Sequence, residues 1–129
     1  MNVAGGTVSA TSAECVANNG IMTVSSGSVT ATKGNAINCI GTSELTVTGG
    51  TISTVSGYVG VNNSSSGNVV VEGGTISTGS ISRATAAIKN TSTGTIRIYG
   101  GIVTTEKSYS GGPAIITTGS GQMYAYPAG

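Results

Sequence analysis

A glycine-centred phrase returns five times along the 129-residue chain, and its spacing restricts the fold more than any other feature. Gly5-Gly6-Thr7-Val8-Ser9 is followed by Ser26-Gly27-Ser28-Val29-Thr30, Gly49-Gly50-Thr51-Ile52-Ser53, Gly73-Gly74-Thr75-Ile76-Ser77 and Gly100-Gly101-Ile102-Val103-Thr104. The second glycine falls at positions 6, 27, 50, 74 and 101, giving intervals of 21, 23, 24 and 27 residues. Self-similarity at such a period marks a repeat architecture, in which each unit buries its apolar face only by stacking on its neighbours.

Each interval carries three short apolar sites. An alternating segment precedes every later corner: Met22-Thr23-Val24, Leu45-Thr46-Val47, Val69-Val70-Val71 and Ile96-Arg97-Ile98, with Met123-Tyr124-Ala125 as the last. From its final apolar residue to the one after the glycines is always five positions, as from Val24 to Val29 or from Ile98 to Val103. A middle site stands at Val16, Ile37, Val61, Ile88 and Ile115. Period-two alternation, β-branched residues and Gly, Asn or Ser punctuation indicate strands, and no segment has helical spacing. The expected fold is all-β, a parallel β-helix of about five three-strand rungs in one domain spanning residues 1–129. Val8, Val29, Ile52, Ile76 and Val103 form one inward stack; Val24, Val47, Val71 and Ile98 form another. The glycine corner is expected to need positive φ, which β-branched residues tolerate badly. The segments 79–86 and 106–112 read as loops leaving the coil between first and second strands.

Two positions beyond the middle site stand Asn18, Cys39, Asn63, Asn90 and Thr117. This column reads either as an Asn ladder through Asn18, Asn63 and Asn90, hydrogen-bonded from rung to rung, or as Asn tolerated in a turn. Cys15 and Cys39 lie on adjacent rungs in different columns, which leaves open a disulfide or two packed thiols.

Composition removes most chemistries. The chain holds 22 Gly, 20 Thr, 18 Ser and 9 Asn, but only four acidic residues, all Glu, and no Asp, His, Trp or Phe. Five scattered basic residues and a net charge of +1 give no footprint for nucleic acid. No apolar run approaches the roughly 20 residues of a membrane span. Neither a basic start nor an apolar stretch after Met1 marks a signal peptide, so the chain reads as processed or as part of a longer protein. Two cysteines without histidine make no zinc site, and no cofactor is expected. Glu14, Glu44, Glu72 and Glu106 share no column on adjacent rungs, so paired-carboxylate hydrolysis is not expected. Serine and cysteine have no histidine base.

Thr46-Val47-Thr48-Gly49-Gly50-Thr51-Ile52-Ser53 and the stretch from Ala87 to Gly101 resemble the degenerate repeats of large secreted surface proteins of Gram-positive and gut bacteria. The resemblance covers nearly the whole chain. It implies a right-handed parallel β-helix related in architecture to pectate-lyase-like proteins, an extracellular or cell-surface location, and an adhesin or stalk role. The Asp clusters used by pectin-cleaving members have no counterpart here.

Two outward surfaces could bind. On the third strand, Arg97 and Tyr124 share one column while Glu72, Tyr99 and Tyr126 share the next, an aromatic and charged patch suited to a sugar ring of a polysaccharide or host surface. The competing reading is a shield for the C-terminal edge, with Arg97 stacked under Tyr124. On the first strand, Thr7, Ser28, Thr51 and Thr75 stand beside Ser9, Thr30, Ser53, Ser77 and Thr104, a grid resembling the ice-binding face of β-solenoid antifreeze proteins, interrupted by Ile102. It also reads as ordinary exposed strand surface. The absence of a legible capping helix adds a further expectation, docking of the ends on other copies.

Overall fold

The computed structural model describes residues 1–11, 14–56, 59–80, 87–105, 115–117 and 120–125. Among them the chain forms β1 (Asn2–Ala10), β2 (Val16–Asn18), β3 (Ile21–Ala31), β4 (Ile37–Cys39), β5 (Glu44–Val47), β6 (Thr51–Ser56), β7 (Val61–Asn63), β8 (Val69–Val71), β9 (Thr75–Ser80), β10 (Ile88–Asn90), β11 (Ile96–Ile98), β12 (Ile102–Thr105), β13 (Ile115–Thr117) and β14 (Met123–Ala125). Every pairing is parallel, and each strand pairs with its equivalent one repeat away. The result is a β-solenoid of about four turns. Five glycine corners bound four complete intervals, so the expected five rungs become four turns with partial coils at the ends.

The three strands per coil lie on three faces. The second face is the five-stranded sheet β13-β10-β7-β4-β2. The first and third faces join into one nine-stranded sheet, because β1 and β3 run unbroken through the glycine corner. At that corner Gly6, Gly27, Gly50, Gly74 and Gly101 have φ of 72°, 82°, 79°, 79° and 84°. These are the left-handed values expected, and only glycine adopts them without strain.

The registers place the apolar columns as the spacing predicts. Val8 pairs with Val29, Val29 with Ile52, Ile52 with Ile76 and Ile76 with Val103. Val24, Val47, Val71 and Ile98 form the parallel stack. Val3 joins this second stack opposite Val24, a member the sequence reading omitted. The middle sites Val16, Ile37, Val61, Ile88 and Ile115 align as a third column. Interior members such as Met22, Ile37, Leu45, Ile52, Val61 and Ile76 are fully buried, so the core is a continuous apolar column along the axis. Polar groups also enter it: Thr54 and Thr78 lie buried two residues beyond the first-strand stack.

Candidate functional site

The second corner is a buried hydrogen-bonded column. Asn63 and Asn90 are fully buried and Asn18 nearly so. Asn63 Nδ2 donates to Asn90 Oδ1 at 3.3 Å and to Gly67 O at 3.3 Å, while Asn90 Nδ2 donates to Gly94 O at 2.8 Å. Asn63 Oδ1 accepts from the Ser65 hydroxyl and the Ser65 amide, and Asn18 binds the Glu44 carbonyl and the Gly20 amide. Both sequence readings therefore hold together: the amides link neighbouring rungs and also satisfy the turn backbone. Cys39 interrupts the ladder, with Asn18 Nδ2 3.9 Å from its sulfur.

Cys15 and Cys39 are free thiols. Burial pushes the Cys39 thiol above its ordinary range, partly opposed by contacts from Asn18 and Ser43. Burial likewise raises Cys15, against a backbone hydrogen bond from Thr30. A buried thiol held protonated is a poor nucleophile and a poor metal ligand. Among the described residues no three His, Cys, Asp or Glu side chains converge.

A second amide ladder, missed by the sequence reading, runs along the outside of the second face. Asn62 Nδ2 donates to Asn38 Oδ1 at 2.8 Å, and Asn38 Nδ2 donates to Glu14 Oε2 at 2.9 Å. Lys89 aligns next to Asn62. Its signal was available one residue before the buried column, at Asn38 and Asn62.

On the third face the register brings Arg97 opposite Tyr124 and Val70. The Arg97 guanidinium carbon lies 5.7 Å from the centre of the Tyr124 ring, within cation–π range. Tyr99 and Tyr124 are 44% and 41% exposed, and the Tyr124 hydroxyl donates to Gln122 Oε1. The Tyr99 amide donates to Val71 O, as the Glu72 amide does to Val47 O, so Tyr99 follows Glu72 in the neighbouring column. Four of the five predicted residues thus occupy adjoining positions; Tyr126 lies outside the described residues. The Arg97–Tyr124 stack is the contact foreseen by the edge-shield reading, and it also fixes an aromatic ring beside a cation.

On the first face the two hydroxyl columns run in register. Thr7, Ser28, Thr51, Thr75 and Ile102 align, as do Ser9, Thr30, Ser53, Ser77 and Thr104. The hydroxyls of Thr30 and Ser53 lie 3.4 Å apart. Ile102 is 59% exposed at the end of its column. The 79–86 and 106–112 loops fall almost entirely outside the described residues.

Fold and surface together define a parallel β-solenoid whose polar side chains serve mainly the coil. No protein-family model, curated protein or solved structure matches the chain.

Proposed function

We propose that the chain is a non-enzymatic structural and adhesive module of an extracellular, surface-displayed bacterial protein, its coil acting as a stiff spacer. The observation that carries this reading is the use of reactive groups for architecture. The buried amides of Asn18, Asn63 and Asn90 and the hydroxyl of Ser65 bind neighbouring backbone. Incubation with a broad polysaccharide panel tests it: release of product from any polymer, by the purified chain and in proportion to its concentration, overturns the reading.

A second reading, glycan binding, is favoured by the Arg97–Tyr124 stack beside exposed Tyr99. Aromatic faces next to a cation and a carboxylate offer a sugar ring both stacking and hydrogen bonds. Retention on a glycan panel that disappears when Tyr99, Tyr124 and Tyr126 are all replaced by Ala would move the assignment from spacer to carbohydrate recognition. Unchanged retention would place binding elsewhere.

A further inference from the structure

A parallel ladder leaves an open edge wherever a strand has one neighbour. Here β1 pairs only with β3 and β2 only with β4, while β12, β13 and β14 end the ladders at the other pole. Natural edges are guarded by Lys, Pro, bulges or covering segments. None of these five strands contains a charged residue or a proline. The apolar columns also open towards the poles: Val8, Ile98 and Val103 are only partly buried, whereas Ile52 and Ile76 between them are fully buried.

The two poles carry complementary hydrogen-bonding phases. Thr32 N–H donates to Ala10 O, so Ala10 faces β3. By strand alternation the main-chain groups of Thr7 and Ser9 face outward. At the other pole Ile102 N–H donates to Gly74 O, which turns the main-chain groups of Val103 away from β9. The internal ladders use the same phase, since Thr75 N–H donates to Gly50 O. Corner geometry matches as well: Val3 to Val8 spans the same five positions as Ile98 to Val103.

We propose that the chain associates head to tail with further copies of itself, the β1–β2 pole of one molecule continuing the ladders of the β12–β13–β14 pole of another. A second copy fits because it alone offers three parallel edges at the same perimeter. At the joint Thr7 of one copy meets Ile102 of the next, Val8 meets Val103 and Ser9 meets Thr104, so apolar columns and hydroxyl columns both continue. This assembly is independent of the surface-module and glycan readings.

Two double variants of the full chain test the register. Thr7→Lys with Ile102→Lys sets like charges about 4.8 Å apart across each joint. Thr7→Glu with Ile102→Lys sets opposite charges there. Both sites are exposed and lie at opposite poles, so neither pair meets within one molecule. Sedimentation velocity over a wide concentration range is expected to show mass rising with concentration for the parent chain. The Lys/Lys variant should associate about tenfold more weakly than the Glu/Lys variant, because like charges directly opposite destabilise a strand pair and opposite charges stabilise it. The mass of a single chain at every concentration overturns the proposal. Equal association of the two double variants overturns it too, since the joint would not bring residues 7 and 102 together.

Discussion

At the scale of single residues, buried polar groups divide into those with partners and those without. Asn90 receives a hydrogen bond from Asn63 and donates to Gly94 O, both inside the corner. Asn90→Ala would strand the Asn63 amide and the Gly94 carbonyl, and should lower stability by about 2 kcal/mol in urea unfolding. Asn62→Ala, on the wet side of the same strand, should cost under about 1 kcal/mol, because water replaces its partner Asn38. Thr78 is the reverse case: its hydroxyl is buried with no hydrogen-bond partner. Thr78→Val keeps the shape, removes a desolvated hydroxyl and should stabilise by about 1 kcal/mol. Cys39 sets a pH dependence. Its thiol pKa is raised in the folded chain by burial, so the folded state holds the proton to higher pH than the unfolded one. Its contribution is therefore complete below the unfolded thiol's pKa and is lost as pH rises through the folded value. Thermal unfolding of the parent should lose more stability on alkaline titration than Cys39→Ser does; equal losses would assign the effect to other groups.

At the scale of elements, two kinds of glycine hold the corners. The first-corner glycines answer to φ, and the repeated Gly-Gly phrase made that legible in the sequence. The second-corner glycines answer to contact. A Cβ at Gly94 would lie 2.1 Å from Gly67 O, and one at Gly67 would lie 1.8 Å from Ser43 O, so successive coils touch backbone to backbone there. Gly94→Ala should cost roughly 3 kcal/mol or more, whereas Gly20→Ala, with nothing within 4 Å of its Cβ, should stay within about 0.5 kcal/mol. Parallel losses at both sites would refute the close-approach account. The spacing hinted at this second column, because Gly67, Gly94 and Gly121 each stand four residues after Asn63, Asn90 and Thr117. Its meaning was hidden because a carbonyl of the previous coil is invisible in one dimension. The apolar stacks were legible, since strand alternation fixes which side chains turn inward and the five-residue corner keeps them in phase. Buried Thr54 and Thr78 were not, because a threonine reads as surface until the strand is seen to carry inward past its apolar residue. The Arg97–Tyr124 contact was legible once the rungs were aligned, for it needs only equal offsets on adjacent strands.

At the scale of the whole molecule, a solenoid is a one-dimensional stack, and its stability is a sum over rungs and the contacts between them. The central rungs have neighbours on both sides: Val47, Ile52, Val61, Val71 and Ile76 are all fully buried. The polar strands β1 and β12 have one neighbour each. Local opening should therefore be easiest at the poles, and native-state amide exchange should be slowest in β5 to β9 and faster in β1, β12 and β14. A flat protection profile would mean that the coil opens only as a unit. The same measurement reads the proposed joint from inside the molecule. At low concentration the outward amides of Thr7 and Ser9 meet water and should exchange quickly. At high concentration, where one copy covers another, those two amides should slow while the central rungs keep their rates. Slowing spread evenly over all rungs would instead indicate association through a lateral face of the coil.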